Sequence, residues 1–299
     1  MTLSVAGKYA VITGAGSGIN LAFARLLLQR GCSVMIGDIS LRPEARALLA
    51  QYPSGPGRPG DTAAGAGPPA ALFQETNVRS WPHLNALWHR AITAFPHVDI
   101  VVPGAGLFEP PSSSFWNAPR TATNPSSPSL DAADADPGSY AIIDINLVHP
   151  ARMSQLAIGH WSRRRRPGTL VHVSSVAGHT AGIGTPLYFA TKHGITALVR
   201  SLGDLKETMG VRVGAVAPGG VATPMMLEHP AAESYLAGGG GEMLLEPEEV
   251  AEAMLALCED PEYGNGTILE VMKGKRRVVP LFNADAPAIA SKDETQEDG

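Results

Sequence analysis

Cysteine is scarce in this chain, and its scarcity excludes several kinds of protein. Only two cysteines, Cys32 and Cys258, occur among 299 residues. Two distant cysteines do not make the disulfide framework of a small secreted protein. The nine histidines form no His-x-x-x-His pair, and no Cys-x-x-Cys pair accompanies them, so no metal site is expected. The sequence therefore favours a reducing compartment and a cytoplasmic location.

Long apolar runs and an excess of positive charge are also missing. No apolar run reaches the roughly 18 residues that a membrane-spanning helix needs. The N-terminus has no basic segment followed by a long apolar one, so no secretory signal is predicted. The formal net charge of −5 argues against a general nucleic-acid binder. With 44% hydrophobic and 17% charged residues, the composition is typical of a globular protein.

Short β-rich apolar runs alternate with helical patterns along most of the chain. The first unit reads "KYAVITG", then "INLAFARLLLQRG", then "CSVMIGD". Further runs of the strand type are "VDIVVPGAG", "GTLVHVSS", "VRVGAVAPG" and "GTILEVM", each preceded by a helical pattern. This alternation predicts an α/β protein with a single Rossmann-type, doubly wound parallel sheet and helices on both faces.

Three stretches interrupt the alternation. Residues 52–70 are rich in Pro and Gly, and residues 109–138 are rich in Pro, Ser and Asp, so both are predicted as loop insertions. Residues 281–299 are predicted to be a polar C-terminal tail. Because none of these stretches separates two cores, we expect one domain over residues 1–280.

The segment "TGAGSGIN", residues 13–20, lies between a predicted strand and a predicted helix. Gly14, Gly16 and Gly18 allow a tight turn and a close approach of a pyrophosphate to the helix N-terminus. Asp38 ends the next strand, where a carboxylate accepts hydrogen bonds from adenosine ribose hydroxyls and repels a 2′-phosphate. The pattern predicts NAD as cofactor and disfavours NADP. A glycine turn beside an unrelated surface aspartate is the alternative interpretation.

A tyrosine and a lysine lie one helical turn apart in "YFATKHG", residues 188–194. Tyr188 and Lys192 therefore share one helix face, and Ser175 lies upstream at the end of a predicted strand. The pattern Ser-x12-Tyr-x3-Lys arises in about one shuffled sequence in a hundred, by template counting. Strand ends of an open parallel sheet form its ligand crevice. We therefore interpret these three side chains as catalytic rather than as packing residues.

Together these segments resemble the short-chain dehydrogenase/reductase family, in its large classical group, over residues 5–272. The resemblance rests on "TGAGSGIN", the NNAG-like "PGAG" at 103–106, Asn146 in a long predicted helix, Ser175, "YFATK", and "APGGVATPM" at 217–225. Within the family, the chain is most similar to the 15-hydroxyprostaglandin dehydrogenase-like branch common in filamentous fungi. The resemblance implies an NAD(P)-dependent enzyme acting on CH–OH groups, a seven-stranded sheet, and a homodimer or homotetramer.

The resemblance also implies the roles of individual residues. Tyr188 would exchange a proton with the substrate, whose oxygen Ser175 would hold. Lys192 would bind the nicotinamide ribose and favour the phenolate form of the tyrosine, and Asn146 would hold a relay water. The implied cofactor contacts are Gly14, Ser17, Gly18, Ile19, Asp38, Asn77, Val78, Gly104, Ala105, Gly106, Tyr188, Lys192, Pro218, Gly219, Val221 and Thr223.

The chain departs from the family pattern at four positions outside the catalytic set. Asn20 stands where the family usually has the last glycine of its first motif, so a polar side chain must fit between helix and sheet. Pro103 replaces the first Asn of NNAG, which removes an amide side chain and a backbone donor. Asn77 stands where Asp often contacts adenine, and Ala217 replaces the Asn that commonly precedes Pro-Gly.

These observations predict NAD(H)-dependent interconversion of a secondary alcohol and a ketone on an apolar small molecule, with a tailoring step of secondary metabolism as one possible setting. Two alternatives stay open: an NADPH-dependent ketone or imine reductase, and a Rossmann-fold protein that catalyses a non-redox rearrangement or cyclisation. Met225 and Met226 form either an apolar lid or part of the core. The arginines at 163–166 are a localisation or nucleic-acid patch, or the basic end of a helix, which we favour.

Overall fold

A computed structural model describes residues 3–53, 68–229 and 243–281. Most of the predicted insertion 52–70 lies outside the described residues, and so does the predicted tail beyond residue 281. The predicted insertion 109–138 is described throughout.

Strands and helices alternate along the described chain. The strands are β1 (Tyr9–Thr13), β2 (Ser33–Asp38), β3 (Ala71–Glu75), β4 (Ile100–Pro103), β5 (Gly168–Val173), β6 (Val211–Pro218), β7 (Asn265–Met272) and β8 (Lys275–Val278). The helices are α1 (Gly18–Gln29), α2 (Pro43–Gln51), α3 (Trp81–Ala94), α4, α5 (Pro186–Ser201), α6 (Leu205–Met209), α7 (Pro224–Leu227) and α8 (Pro247–Glu259). Helix α4 comprises three consecutive segments, α-helical Ala141–Ile143, π-helical Asp144–Val148 and α-helical His149–Arg164.

The strands form one sheet in the order β3-β2-β1-β4-β5-β6-β7-β8. Strands β1 to β7 pair in parallel, and β8 pairs antiparallel with β7. The resemblance implied seven parallel strands, so β8 is an addition at the edge of that sheet. The chain order reverses at β1, which lies between β2 and β4, and this reversal places the turns after β1 and β4 side by side.

Two apolar clusters cover the two faces of the sheet. Alternate residues of β1 point to opposite faces, so Ile12 packs in one cluster and Val11 in the other. The first cluster includes residues of α1 and α8, and the second includes residues of α3, α4 and α5. Helices thus lie on both sides of one mostly parallel sheet, which confirms the predicted doubly wound Rossmann-type fold.

The turn after β1 packs directly on the turn after β4. Gly14 has φ 75°, and a Cβ on it would lie 2.5 Å from the Cα of Ala105. The side chain of Asn20 fills the space above Gly104, where its Nδ2 donates to the Gly104 carbonyl at 2.9 Å. A Cβ on Gly104 would lie 2.4 Å from that Nδ2. Asn20 therefore fits between helix and sheet because Gly104 has no side chain.

Two histidines are fully buried beneath the sheet's carboxyl edge. His149 of α4 donates from Nδ1 to the Ile145 carbonyl at 3.0 Å, and its Nε2 accepts from the Thr13 hydroxyl at 2.9 Å. His172 of β5 has its Nε2 3.2 Å from the Ser154 hydroxyl. Burial lowers the pKa of His149 to about 4 and the pKa of His172 to about 3. Both side chains are therefore neutral at pH 7.

The buried histidines predict that the free energy of unfolding falls as the pH drops below about 6.5. The unfolded chain takes up protons at both histidines near pH 6.5, whereas the folded chain takes them up only near pH 4 and pH 3. Stability is therefore fully present above that window and lost as the pH falls through it, by on the order of 4 kcal/mol at pH 5 for the pair. Urea unfolding at pH 7 and pH 5 measures this loss. His172→Asn should reduce the pH dependence, whereas a change at the exposed His89 should leave it intact; an unaltered dependence in His172→Asn contradicts the assignment.

A second prediction concerns the contact between Asn20 and Gly104. Gly104→Ala should lower the free energy of unfolding by about 1–3 kcal/mol, because its methyl group collides with the Asn20 side chain. In the double variant Asn20→Gly/Gly104→Ala most of this loss should be recovered, since the collision is gone. Gly184→Ala, where an added Cβ meets nothing within 4 Å, is the control and should change stability by less than about 0.5 kcal/mol. If the double variant lost as much free energy of unfolding as Asn20→Gly and Gly104→Ala lose together, the proposed collision would be contradicted.

Candidate active site

The carboxyl ends of the central strands open into a cavity of about 630 Å³. Ser175, Tyr188 and Lys192 line this cavity. All of the predicted cofactor contacts line it as well: Gly14, Ser17, Gly18, Ile19, Asp38, Asn77, Val78, Gly104, Ala105, Gly106, Tyr188, Lys192, Pro218, Gly219, Val221 and Thr223. The structure therefore brings together residues that lie more than 200 positions apart in the sequence.

One end of the cavity has the features that suit a dinucleotide. Helix α1 begins at Gly18, and its N-cap residue Ser17 makes no side-chain cap hydrogen bond within the described structure. The backbone amides of this first turn are therefore available to an anion such as a pyrophosphate. Asp38 ends β2 beside them, and its carboxylate accepts from the Gly16 amide at 2.7 Å and from the Ser40 amide at 3.2 Å. These two bonds fix the carboxylate where a ribose would lie.

Arg42 is the cation nearest in sequence to Asp38. Its guanidinium donates to the Glu228 carboxylate at 2.7 Å, and this hydrogen bond raises the pKa of Arg42. The two side chains are exposed and link the start of α2 to the end of α7. The guanidinium is thus directed to Glu228.

The tyrosine, lysine and serine converge at the other end of the cavity. Tyr188 and Lys192 lie one turn apart on α5, with the Lys192 Nζ 5.5 Å from the centre of the tyrosine ring. The Nζ also donates to the Val173 carbonyl at 2.9 Å, which anchors it to the end of β5. The Ser175 hydroxyl lies beside the Tyr188 phenol and donates to the Pro218 carbonyl at 3.3 Å.

Burial sets the protonation of both groups on α5. It raises the pKa of the Tyr188 phenol, and the nearby Ser175 hydroxyl opposes this rise without reversing it. Burial also lowers the pKa of Lys192 to about 8. Desolvation is the largest cause of both shifts, and the phenol keeps its proton at neutral pH.

Asn146 lies behind the cavity wall rather than on it. It sits in the π-helical segment of α4, and such segments are frequent at functional sites. Its Oδ1 accepts from the Leu107 amide at 2.8 Å, and its Nδ2 donates to the Leu107 carbonyl at 2.9 Å. Gly106 separates it from Lys192, and a Cβ there would lie 3.4 Å from the Asn146 Oδ1 and 4.0 Å from the Lys192 Nζ. The missing side chain at Gly106 leaves a path between the two groups.

The apolar walls of the cavity were not predicted residue by residue. The Phe108 ring packs edge-on against Tyr188, with ring centres 4.8 Å apart. Met225 and Met226 line the cavity, which favours the lid interpretation of that segment. Further lining residues that the motifs did not indicate are Asn20, Ile39, Thr76, Leu107, Ile145, Val173, Ser174, Val176, Ala177, Phe189, Gly220 and Pro224. The aromatics of "GLFEPPSSSFW" were the available signal for Phe108, but no spacing rule connects them to Tyr188.

The described residues also bear on metal sites and membrane spans. Among those residues, no three His, Cys, Asp or Glu side chains are grouped so that they could hold a metal ion. No helix within the described ranges is both long enough and apolar enough to cross a membrane. Cys32 and Cys258 are both free and buried.

Comparisons with known proteins agree with the motifs. A family model described as short chain dehydrogenase matches residues 8–234. Cis-4-hydroxycyclohexanecarboxylate dehydrogenase of Sinomonas cyclohexanicum is 34% identical over 274 residues, which span 90% of this chain and 96% of that protein. The 15-hydroxyprostaglandin dehydrogenase (NAD(+)) of Bos taurus is 27% identical over 290 residues, which span 91% and 94%.

A solved structure shows the same fold. The 3-ketoacyl-(acyl-carrier-protein) reductase from Brucella melitensis, complexed with NADH, matches with a TM-score of 0.66 and 24% identity over 91% of this chain and 99% of that chain. The resemblance inferred from the motifs is thus confirmed by sequence relatives, and the fold is confirmed by a structural one. The chain belongs to the short-chain dehydrogenase/reductase family and is an oxidoreductase that acts on alcohol or ketone substrates.

Proposed function

We propose that this protein interconverts a secondary alcohol and a ketone on an apolar small molecule, with NAD(H) as cofactor. One observation carries the proposal: Ser175, Tyr188 and Lys192 meet in a single cavity that also receives the glycine turn and Asp38. A bound nicotinamide would accept or donate the hydride at this place. The chain's own side chains would position the substrate and move its proton.

Tyr188 is the proposed proton donor and acceptor. Its buried phenol retains a proton at neutral pH, so it is ready to protonate a substrate oxygen during ketone reduction. During alcohol oxidation it must accept a proton, and the positive charges of Lys192 and of an oxidised nicotinamide favour that state. Ser175, which lies beside the phenol, would hold the same substrate oxygen.

Lys192 and Asn146 are the proposed remainder of the catalytic set. Lys192 is held by Val173 at 2.9 Å and has two further donors available for a ribose hydroxyl and a water. The open space at Gly106 connects it with Asn146. We therefore propose that protons pass from Tyr188 by way of Lys192 and a water held near Asn146.

NAD rather than NADP is the proposed cofactor. The Asp38 carboxylate is held in place by two backbone amides, one from the glycine turn itself. A 2′-phosphate at this position would meet a fixed negative charge. Arg42, which in principle could bind such a phosphate, is already paired with Glu228.

The cavity walls support an apolar substrate. Its apolar lining residues include Leu107, Phe108, Phe189 and the methionines 225 and 226, and the two phenylalanine rings pack edge-on against Tyr188. A tailoring step of secondary metabolism is the proposed setting, supported by this apolar cavity alone. A homodimer or homotetramer is the proposed assembly, which size-exclusion chromatography with light scattering would check.

The function is tested by following absorbance at 340 nm with NAD, NADP, NADH and NADPH. The panel would contain hydroxysteroids, fatty alcohols, polyketide alcohols and the corresponding ketones. We expect turnover of at least one apolar pair, and faster turnover with NAD(H) than with NADP(H). A product that forms at the same rate without any nicotinamide would contradict a redox function.

The first prediction of this proposal concerns Tyr188→Phe. Loss of the phenol should reduce turnover by about 100-fold or more, because the substrate proton then has no donor or acceptor. The dissociation constant of NADH should stay within a few-fold, since the glycine turn, Asp38 and Lys192 remain. Tyr263→Phe, at a tyrosine outside the cavity lining, is the matched control and should retain full turnover. A Tyr188→Phe enzyme with most of its rate would remove the proton-transfer assignment.

The second prediction concerns cofactor choice. Like charges at Asp38 and a 2′-phosphate cost on the order of 1–3 kcal/mol, so NADH should bind about tenfold to a hundredfold more tightly than NADPH. Asp38→Ala should reduce the preference for NADH over NADPH or reverse it. Glu228→Gln should release the Arg42 guanidinium and strengthen NADPH binding while leaving NADH binding unchanged. Fluorescence titration of both nucleotides measures these effects, and a wild-type preference for NADPH would show that the charge argument is wrong.

A further inference from the structure

The insertion 109–138 contains an unusual number of buried polar side chains. Apart from isolated bridges it forms no strand and no helix, yet six of its polar residues are buried: Glu109, Ser113, Ser114, Ser127, Ser129 and Asp131. Burying a polar group is unfavourable unless it is hydrogen-bonded. The hydrogen-bond partners of these six side chains therefore show which parts of the protein the insertion contacts.

Glu109 connects the insertion to the helix that carries Tyr188 and Lys192. Only 4% of its surface is exposed. One carboxylate oxygen accepts from the Tyr188 amide at 2.8 Å, and the other accepts from the Phe115 amide at 2.9 Å and the Ser114 hydroxyl at 3.1 Å. The N-cap residue of α5, Thr185, makes no side-chain cap bond within the described structure. Glu109, which lies outside α5, thus supplies the N-terminal cap that the helix's own N-cap residue does not provide.

The helix that carries Asn146 is held in the same way. Its N-cap residue, Tyr140, also makes no side-chain cap bond among the described residues. The Ala141 amide donates to the Asp131 carboxylate at 2.8 Å, and the Ile142 amide donates to the Ser113 hydroxyl at 3.1 Å. Two residues of the insertion therefore satisfy the first amides of α4.

A further contact joins the insertion to the segment before α5. The Trp116 Nε1 donates to the Ile183 carbonyl at 2.9 Å. Phe108, directly before Glu109, packs its ring edge-on against Tyr188. The junction of the insertion therefore contacts both the backbone and the ring of the tyrosine.

We propose that the insertion 109–138 positions the catalytic side chains by capping the N-termini of α4 and α5 from outside, with Glu109, Ser113 and Asp131 as positioning residues. The inference rests on the proposed function, because it assumes that Asn146 and Tyr188 act in one reaction. Small displacements of reacting groups reduce rate strongly. Within the described residues, none of these three side chains lines the cavity, so we expect their loss to affect turnover more than cofactor binding.

Two serine variants separate positioning from simple stabilisation. Ser113 and Ser127 are both buried and hydrogen-bonded, but only Ser113 touches a catalytic helix. The Ser127 hydroxyl donates within the insertion, to the Ala118 carbonyl at 2.6 Å. Ser113→Ala should lower kcat about fivefold or more, with an unchanged NADH dissociation constant, whereas Ser127→Ala should stay within about twofold. Equal effects of the two variants on kcat would overturn the proposal.

Two amide variants test the individual caps. Glu109 uses both oxygens as acceptors, so Glu109→Gln must turn its NH₂ group towards either the Tyr188 amide or the Phe115 amide and lose that hydrogen bond. Asp131 accepts through Oδ1, and its Oδ2 has no partner among the described residues, so Asp131→Asn should be tolerated. We expect about a tenfold or greater loss of kcat in Glu109→Gln and less than twofold in Asp131→Asn.

Hydrogen–deuterium exchange supplies the readout that does not depend on turnover. The Tyr188 amide should exchange faster in Glu109→Gln while amides of the central strands keep their protection. NADH binding within twofold of the wild type shows that the variant is folded. Wild-type kcat together with unaltered Tyr188 exchange in Glu109→Gln would overturn the proposal. If Tyr188→Phe were active, the proposed function would fail, whereas faster Tyr188 exchange in Glu109→Gln would still establish the cap.

Discussion

The parallel pairing of β1 with β4 is the constraint on which the site depends. Because β1 lies between β2 and β4, the first strand's glycine turn and the fourth strand's "PGAG" turn emerge side by side. Gly14 can lie against Ala105 only without a side chain. The ends of β5 and β6 follow in the same row and bring Ser175 next to Pro218. One sheet order thus creates both ends of the cavity.

This arrangement buries polar side chains that are more stable in water. Lys192 and Tyr188 are desolvated together, and burial raises the pKa of Tyr188 while it lowers the pKa of Lys192 to about 8. Tyr188 therefore keeps its proton at neutral pH, whereas Lys192 can lose its proton near pH 8. The hydrogen bond from Lys192 to the Val173 carbonyl and the Ser175 hydroxyl beside Tyr188 reduce the free-energy cost of this burial. Stability and reactivity are therefore opposed at this end of the cavity.

The sequence predicted the interior of the fold better than its edges. Strands β1, β2 and β4 to β7 and the glycine turn carry apolar runs or spacings that mark them. Strand β3 was not predicted because it lies at the sheet edge and only one of its residues is buried. Strand β8 was not predicted because all four of its residues are exposed. The long-range bonds of Asn20, Arg42 and Glu109 join residues 79 or more positions apart. No local pattern records such pairs, so the insertion was predicted only as a loop.

The most direct test of the account is hydride transfer itself. The protein would be incubated with a ketone that the absorbance panel identifies and with NADH deuterated at either position of nicotinamide C4. Mass spectrometry of the alcohol should find one deuterium on the carbinol carbon with one of the two labelled cofactors, and none when Tyr188→Phe replaces the wild type for the same time. A product that carries no deuterium from either cofactor would contradict the assignment of this site to redox chemistry.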